Sequence, residues 1–208
     1  TGILCLWLGL LKIAEASGIT ELLARALRPL FRKIMPEVPA DSPALGSIIM
    51  NMAANILGLD NAATPMGLKA MEQLQAVNPH KDTASNAQVL FMVLNASSVT
   101  LVPITILMYR SELGAANPSA VFMPILLATS CSTLVGFLSV AVVQKLPLLN
   151  RVVLSYLFGF AAVIAALVGY FQNLAPTERL NFSAGCGNFL LFAIMVLFIA
   201  AGVLKRIN

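Results

Sequence analysis

The chain has 208 residues, 59% of them apolar and only 11% charged, with a mean hydropathy of +0.87 and a formal charge of +4. Soluble domains carry about a quarter charged residues, so this composition excludes an ordinary soluble domain and predicts an all-α, polytopic protein in contact with the lipid bilayer. The basic residues form no stripe interleaved with aromatics, so no nucleic-acid partner is expected. Their excess is typical of charge that orients membrane helices.

Side chains that bind metals or act as nucleophiles are few and scattered. The three cysteines lie in or beside apolar runs without paired spacing, and the only histidine, His80, falls in a loop. We therefore expect no disulfide framework, no metal site and no cofactor. Because phosphate-binding loops and nucleophile motifs are missing from the sequence as well, it predicts a protein that is not an enzyme.

The N-terminal part of the chain contains two distinct segments. Residues 1–17 are apolar but too short to span a membrane fully unless preceding residues have been lost; because the chain starts with threonine inside this segment, we expect a fragment of a longer or processed protein. Residues 19–35 repeat apolar side chains at helical spacing, which predicts a basic amphipathic helix in the membrane interface; packing on a soluble partner is the alternative. The basic positions are Arg25, Arg28, Arg32 and Lys33.

Residues 42–77 predict two short helices separated by a polar break. The first covers residues 42–57, and the second begins with Thr64 as N-cap and Pro65 as its first residue. Each is roughly 20 to 24 Å long, which is too short for a hydrocarbon core of about 30 Å. The break at residues 58–61 must face protein or water, so it is either the tip of a re-entrant hairpin or an interruption in one crossing helix.

The distribution of Lys and Arg distinguishes these two arrangements. If the segment forms a hairpin, eleven basic residues lie on one side of the membrane and only Arg110 and Arg179 lie on the other. If the segment crosses once, this asymmetry largely disappears. Because cytoplasmic loops collect basic residues, the count favours the hairpin and predicts that residues 19–41 are cytoplasmic.

Four later segments are long and apolar enough to span a membrane: residues 87–109, 118–143, 152–171 and 188–204. With the N-terminal apolar segment, they predict about five membrane-spanning helices in addition to the re-entrant helical hairpin. Pro103 and Pro124 fall inside two of these spans, where we expect them to kink the helices. Residues 185–188 are predicted as the start of the last span.

The polar side chains around the hairpin break are the first candidate for a binding site, since polar groups at membrane depth are costly unless they are paired, hydrated or functional. The amides that begin the second helix, near residues 63–66, can receive an anionic or carbonyl-bearing ligand, and the carbonyls that end the first helix can receive a cation or a donor. The alternative is that these groups only cap the break. The candidate residues are Asn51, Asn55, Asp60, Asn61 and Thr64.

A second polar stripe lies in the next span, where three residues near one helical face are candidates to line a solute path: Asn95, Ser98 and Thr105. Serine and threonine often bond the helix backbone one turn back, so a purely structural role is the competing interpretation. The small residues at 129–133, followed by Gly136, predict close helix packing instead of a site.

Several of these motifs are similar to the spore maturation protein A family, within the nucleoside-recognition (Gate) group. The longest is the hairpin sequence at residues 51–72, and shorter matches are residues 7–15, 28–30, 35–39 and 94–103. The resemblance covers about residues 3–150. The family often has glycine or serine where Asp60 stands, so the resemblance points to the surrounding asparagines rather than to that carboxylate.

The resemblance implies that residues 1–150 form a Gate-like membrane domain containing the hairpin, and that residues 151–208 add two further membrane helices. These helices look like the junction to a spore maturation B-like half, as in the front part of a fused A–B protein. The expected function is transport or gating of a small polar or anionic solute, nucleoside-like in related proteins, in the bacterial inner membrane. A non-transporting scaffold or assembly partner is the alternative. A B-like half or subunit is the expected protein partner, and homo-oligomerisation stays open.

Overall fold

A computed structural model describes residues 13, 19–39 and 41–204, without the side chains of residues 19, 20 and 60–62. The apolar segment predicted at residues 1–17 lies outside the described residues, apart from Ile13. All regular elements in the described part are helices, which confirms the all-α class. In chain order they are α1 (Ile19–Ile34), α2 (Pro43–Ile56), α3 (Asp60–Val77), α4 (Asn86–Ala96), α5 (Ile104–Glu112), a 3-10 turn (Pro118–Val121), α6 (Phe122–Val143), α7 (Arg151–Asn173) and α8 (Pro176–Leu204).

Three segments are long and apolar enough to cross a membrane by length and composition: Pro118–Val143, Arg151–Asn173 and Pro176–Leu204. The third begins well before its predicted start at residue 188, because Glu178 caps it by accepting a 2.9 Å hydrogen bond from the Ala175 amide. Residues 185–188 therefore lie inside α8. Gly187 has a packing role there, since a Cβ at this position would lie 3.0 Å from the Cβ of Phe122.

The amphipathic pattern of the first described helix is confirmed. Phe31 and Ile34 of α1 are buried against α2 and α7, while its four basic side chains are exposed. The hydroxyl of Tyr156 in α7 donates to the carbonyl oxygen of Ala26, which fixes the crossing of the two helices. The apolar face of α1 is thus covered by the chain's own helices, and the basic face remains on the outside.

The segment at residues 42–77 forms a helical hairpin. Ser42 is the N-cap of α2, with its hydroxyl accepting from the Ala44 amide at 3.2 Å, and Pro43 follows as the first helical residue. Only residues 57–59 separate α2 from α3, and the two helices pack against each other along their length. This short connection is the turn that the sequence places at the polar break.

The segment predicted as one span at residues 87–109 is divided. The first part, α4, ends at Ala96, and α5 begins only at Ile104 after an irregular stretch. Pro103 precedes α5 and Pro124 lies in the first turn of α6, so the prediction that they kink helix interiors is wrong. Proline is tolerated at these positions because the first amides of a helix have no intrahelical partner.

One apolar core connects the hairpin to the long helices. Ile48 and Ile49 of α2, Leu74 of α3 and Leu90 of α4 are almost completely buried in it, and α1, α6 and α7 contribute to the same cluster. The core therefore packs the two hairpin helices together with α4 and α6.

Candidate functional site

The first helix break is closed by a backbone motif that requires glycine. The amides of Gly58 and Leu59 donate to the carbonyls of Asn55 and Ala54 at 3.0 and 2.9 Å, which is the Schellman arrangement at the end of α2. Gly58 has φ +71°, a left-handed conformation that favours glycine. The carbonyls that end α2 therefore accept hydrogen bonds from backbone amides of the protein, whereas the sequence predicts that they can receive a cation or a donor.

The second helix of the hairpin begins earlier than predicted. Its first residue is Asp60 rather than the one after Thr64, and the amide of Ala63 already donates to the carbonyl of Leu59 at 2.9 Å. Pro65 lies inside α3, where it removes one i→i−4 hydrogen bond. The amides without an intrahelical partner are therefore those of residues 60–62, not those near residues 63–66.

The second break, between α4 and α5, is supported by the threonines of α6. The hydroxyl of Thr133 donates to the carbonyl of Ser97, and the amide of Thr100 donates to the Thr129 hydroxyl at 3.5 Å. Gly136 permits this approach, because a Cβ there would lie 3.1 Å from Cγ1 of Val93. The close packing predicted for this small-residue run is confirmed, and the run also satisfies unwound backbone that lipid would not tolerate.

The two breaks contact each other directly. The amide of Leu101 in the second break donates to the carbonyl of Ile56 at the end of α2, at 2.9 Å. Gly58 lies so close that a Cβ there would be 2.2 Å from the carbonyl oxygen of Val102. Paired interruptions of membrane helices are the structural element around which many transporters build a binding site.

A chain of three asparagine amides runs beside the joined breaks. Asn55 Nδ2 donates to Asn95 Oδ1 at 2.5 Å and to Asn51 Oδ1 at 3.3 Å. Asn51 Nδ2 in turn donates to the carbonyl of Ala63 in α3 at 2.7 Å. The chain therefore links α4, α2 and α3 through side-chain hydrogen bonds.

Asn51 and Asn55 have different environments within this chain. Asn51 is only 1% exposed, and its bond to Ala63 depends on Gly67, where a Cβ would lie 2.9 Å from Asn51 Nδ2. Asn55 is half-buried and Asn95 is exposed. In the described part of the chain, Asn55 Oδ1 and Asn95 Nδ2 have no hydrogen-bond partner, so one acceptor and one donor remain for a ligand.

Asn55 and Asn95 face a pocket of about 450 Å³ between the hairpin and α4. Apolar and aromatic side chains form most of its wall, and no described lining residue is charged. A mostly apolar pocket with a few directed amides is suited to a small polar solute that has an apolar face. The lining residues are Asn51, Asn55, Ala63, Thr64, Gly67, Leu68, Met71, Phe91, Met92 and Asn95.

A cluster of amide side chains joins the C-terminal end of α3 to the N-terminal end of α4. Each of these helix ends is the one farther from its break. Gln88 Nε2 donates to Gln75 Oε1 at 2.9 Å, and Gln88 Oε1 accepts from the Ser85 amide at 2.8 Å and from Asn78 Nδ2 at 3.2 Å. Ser85 and Gln88 also form a capping box at the start of α4. This cluster sets the distance between the two walls of the pocket.

The structure brings together four of the eight predicted site residues: Asn51, Asn55, Thr64 and Asn95 all line the pocket. The side chains of Asp60 and Asn61 lie outside the described residues. Ser98 lines a separate apolar cavity, and Thr105 lies in α5 and lines neither that cavity nor the pocket. The second helix break separates Ser98 and Thr105 from Asn95, so a single stripe along one helix is not present.

Sequence reasoning missed Gly67 and the apolar wall of the pocket, especially Phe91 and Met92. A glycine inside a predicted helix, four residues after Ala63, was the available signal for a close side-chain approach. No comparable signal marks Phe91, because apolar residues in a membrane helix are expected everywhere.

Comparison with known proteins gives one family and one curated relative. A family model described as Gate, nucleoside recognition, matches residues 1–116, which is more than half of the chain. Spore maturation protein A of Bacillus subtilis (strain 168) is 42% identical over 130 residues, covering 62% of this chain and 66% of that protein. The match thus spans slightly less than two thirds of the relative. Both matches confirm the resemblance predicted from the sequence, and no solved structure matches.

Proposed function

The chain belongs to the Gate (nucleoside recognition) family, and we propose that it moves or gates a small polar solute through a bacterial inner membrane. The solute binds in the pocket between the hairpin and α4. The single observation that carries this proposal is the hydrogen-bonded chain Asn51–Asn55–Asn95, which borders two joined helix breaks and leaves a donor and an acceptor toward the pocket.

The lining favours a neutral solute over an anion. The described wall has no cation to pair with a carboxylate or phosphate, and the polar atoms that remain are amide groups. Phe91 and Met92 offer an apolar surface to a flat ring. A nucleoside-like molecule has both a flat ring and an amide-like edge, so nucleosides are the first candidates.

The binding step needs no catalytic group, and we propose that the protein is not an enzyme. The pocket holds amides, a threonine and apolar side chains, none of which is an acid–base pair or an activated nucleophile. Binding and movement of the breaks are sufficient for transport, because discontinuous helices permit local rearrangement near the solute.

The rest of the assembly is part of the same proposal. Residues 19–41 lie on the cytoplasmic side, and the hairpin enters the membrane from that side and returns to it. A spore maturation B-like half or subunit contributes the opposite wall of the pathway. The predicted division into residues 1–150 and 151–208, the fusion to a B-like half and homo-oligomerisation stay predictions.

A second function, that of a membrane scaffold, is favoured by a different observation. Asn51 is buried and fully engaged with Ala63 and Asn55, and the carbonyls at the end of α2 are paired with protein amides. Such a self-bonded break is suited to packing helices. The difference between the two functions lies in Asn55 and Asn95, whose remaining polar atoms have no hydrogen-bond partner among the described residues.

The test is uptake of radiolabelled uridine and adenosine by proteoliposomes that contain the full-length protein. We expect the Asn55→Ala variant to lower the initial rate by about tenfold, since it removes a directed hydrogen bond to the solute and one to Asn95. The matched control is Asn181→Ala, an exposed asparagine of α8 away from the pocket, which should leave the rate unchanged.

Two outcomes would contradict the proposal. Equal rates for Asn55→Ala and wild type, with intact folding, would remove the pocket as the binding site. Absence of uptake for nucleosides, nucleobases and other neutral polar solutes by the wild-type protein would favour the scaffold.

A further inference from the structure

A long apolar crevice beside the helix breaks shares no lining residue with the solute pocket. It consists of two neighbouring cavities of about 340 and 590 Å³ that share the lining residues Val99, Leu101, Tyr156 and Phe160. Along α7 its wall extends from Val153 to Leu167, which corresponds to about 21 Å at 1.5 Å per residue. One leaflet of a bilayer has a hydrocarbon depth of about 15 Å, so the crevice can receive an extended acyl chain.

The crevice has features that the packing of this chain does not explain. Ser130 is 1% exposed and borders the crevice, yet its hydroxyl has no hydrogen-bond partner in the described part of the chain. Gly159 also borders it, and a Cβ there would meet nothing within 4 Å. The open glycine leaves room for a molecule other than the protein; an acyl chain cannot pair with the Ser130 hydroxyl, so that hydroxyl does not identify the occupant.

Exposed arginines stand close in sequence to residues that line the end of the crevice containing Val153. Leu27, Leu30, Phe31 and Ile34 of α1 form its wall there, and α1 carries exposed arginines on its outer face. Arg151, also exposed, begins α7 two residues before Val153. None of the cations around this end has an ion-pair partner among the described residues: Arg25, Arg28, Arg32 and Arg151.

We propose that the crevice binds one acyl chain of an anionic phospholipid, with the phosphate group against the arginines of α1 and Arg151. Charge complementarity identifies the headgroup, because basic clusters beside membrane helices attract anionic lipids. The acyl chain would lie against Ile56 and Leu101, the residues whose backbones join the two helix breaks. Lipid binding therefore supports the joint from a cavity separate from the solute pocket, and it does not depend on the proposed transport function.

The experiment uses the full-length protein in detergent, delipidated and incubated with phosphatidylglycerol or phosphatidylcholine of the same chain length. Lipid retention is measured by native mass spectrometry and stabilisation by thermal unfolding. We expect selective retention of phosphatidylglycerol, and an Arg28→Gln/Arg32→Gln variant should weaken it by about thirtyfold, since two surface charges are removed. The charge control is Lys69→Gln, an exposed residue of α3.

A second pair of variants tests the crevice itself. Gly159→Leu should fill the space and reduce retention of both lipids, whereas Gly169→Leu, equally open but outside the crevice lining, should not. Circular dichroism and size-exclusion profiles establish that the variants fold.

Three results would overturn the proposal. Equal retention of the two lipids by the wild-type protein would contradict the role of the arginines in selecting the headgroup. Equal lipid retention by the two leucine variants would contradict binding of the acyl chain in the crevice. Efficient disulfide formation between chains by Gly159→Cys in native membranes would show that another protein chain, rather than lipid, occupies the space.

Discussion

Asn55 Nδ2 lies 2.5 Å from Asn95 Oδ1, so the last turn of α2 is hydrogen-bonded to the last turn of α4. Each of these helices ends at a break, and the breaks are joined a few residues further on by the backbone bond between Leu101 and Ile56. A change in the position of one break must therefore shift the other. In the function that we propose, this coupling lets a solute bound at the asparagines act on both interruptions.

The Asn55–Asn95 bond should be measurable as a coupling energy. In a double-mutant cycle with Asn55→Ala and Asn95→Ala, the two changes should be non-additive by about 0.5–1.5 kcal/mol, because either one removes the same bond. Thermal or denaturant unfolding of the full-length protein in detergent gives the four free energies. Strict additivity would mean that the contact contributes nothing to stability.

Gly67→Ala should destabilise the protein, because the new Cβ would lie 2.9 Å from Asn51 Nδ2 and displace it from the Ala63 carbonyl. A buried amide that loses its partner costs about 1–3 kcal/mol. The matched change is Gly46→Ala in α2, where the Cβ meets nothing within 4 Å. That variant should be more stable than wild type by about 0.5–1 kcal/mol, as expected for glycine to alanine inside a helix. The prediction fails if both variants shift the unfolding temperature in the same direction.

Alanine substitutions at Gly58 and Gly114 distinguish the stability cost of backbone strain from that of a steric clash. Both have positive φ, +71° and +75°, but only at Gly58 would a Cβ meet another atom, the Val102 carbonyl oxygen at 2.2 Å. Gly114→Ala should cost about 1 kcal/mol from conformational strain alone. Gly58→Ala should cost several times more, since the joint between the breaks has to open. Comparable unfolding temperatures for the two variants would show that the breaks are not in contact.

The hairpin makes a clear prediction about membrane sidedness. With the native cysteines replaced by serine, single cysteines at Asp41 and His80 should react with an impermeant maleimide from the same side of the membrane, and one at Asn117 from the other. All three positions are exposed and lie outside the helices that reach the membrane core. Labelling of positions 41 and 80 from opposite sides would establish a single crossing instead.

The sequence was informative wherever a physical rule acts locally. Few charges and long apolar runs identified a membrane protein, the period of α1 identified its exposed basic face, and the polar residues around the predicted break included Asn51, Asn55 and Thr64, which line the pocket. Hydropathy could not locate the second break. Residues 87–109 are apolar enough on average to be predicted as one span, and although polar residues and Pro103 lie within it, none of them requires the chain to unwind after Ala96.

Only the tertiary structure decided how these parts meet. The Ser97 carbonyl and the Thr100 amide, which lie outside regular helix, are hydrogen-bonded to Thr133 and Thr129. These threonines lie more than twenty residues further along the chain, and their hydrogen bonds allow the helix to be interrupted there. Likewise, Gly58 against Val102 and Gly67 against Asn51 are contacts between separate helices. Composition determined that this chain resides in a membrane, because transfer of side chains into lipid depends on residue type alone. The position of the pocket depended on which distant groups complete the hydrogen bonds that a broken helix leaves open.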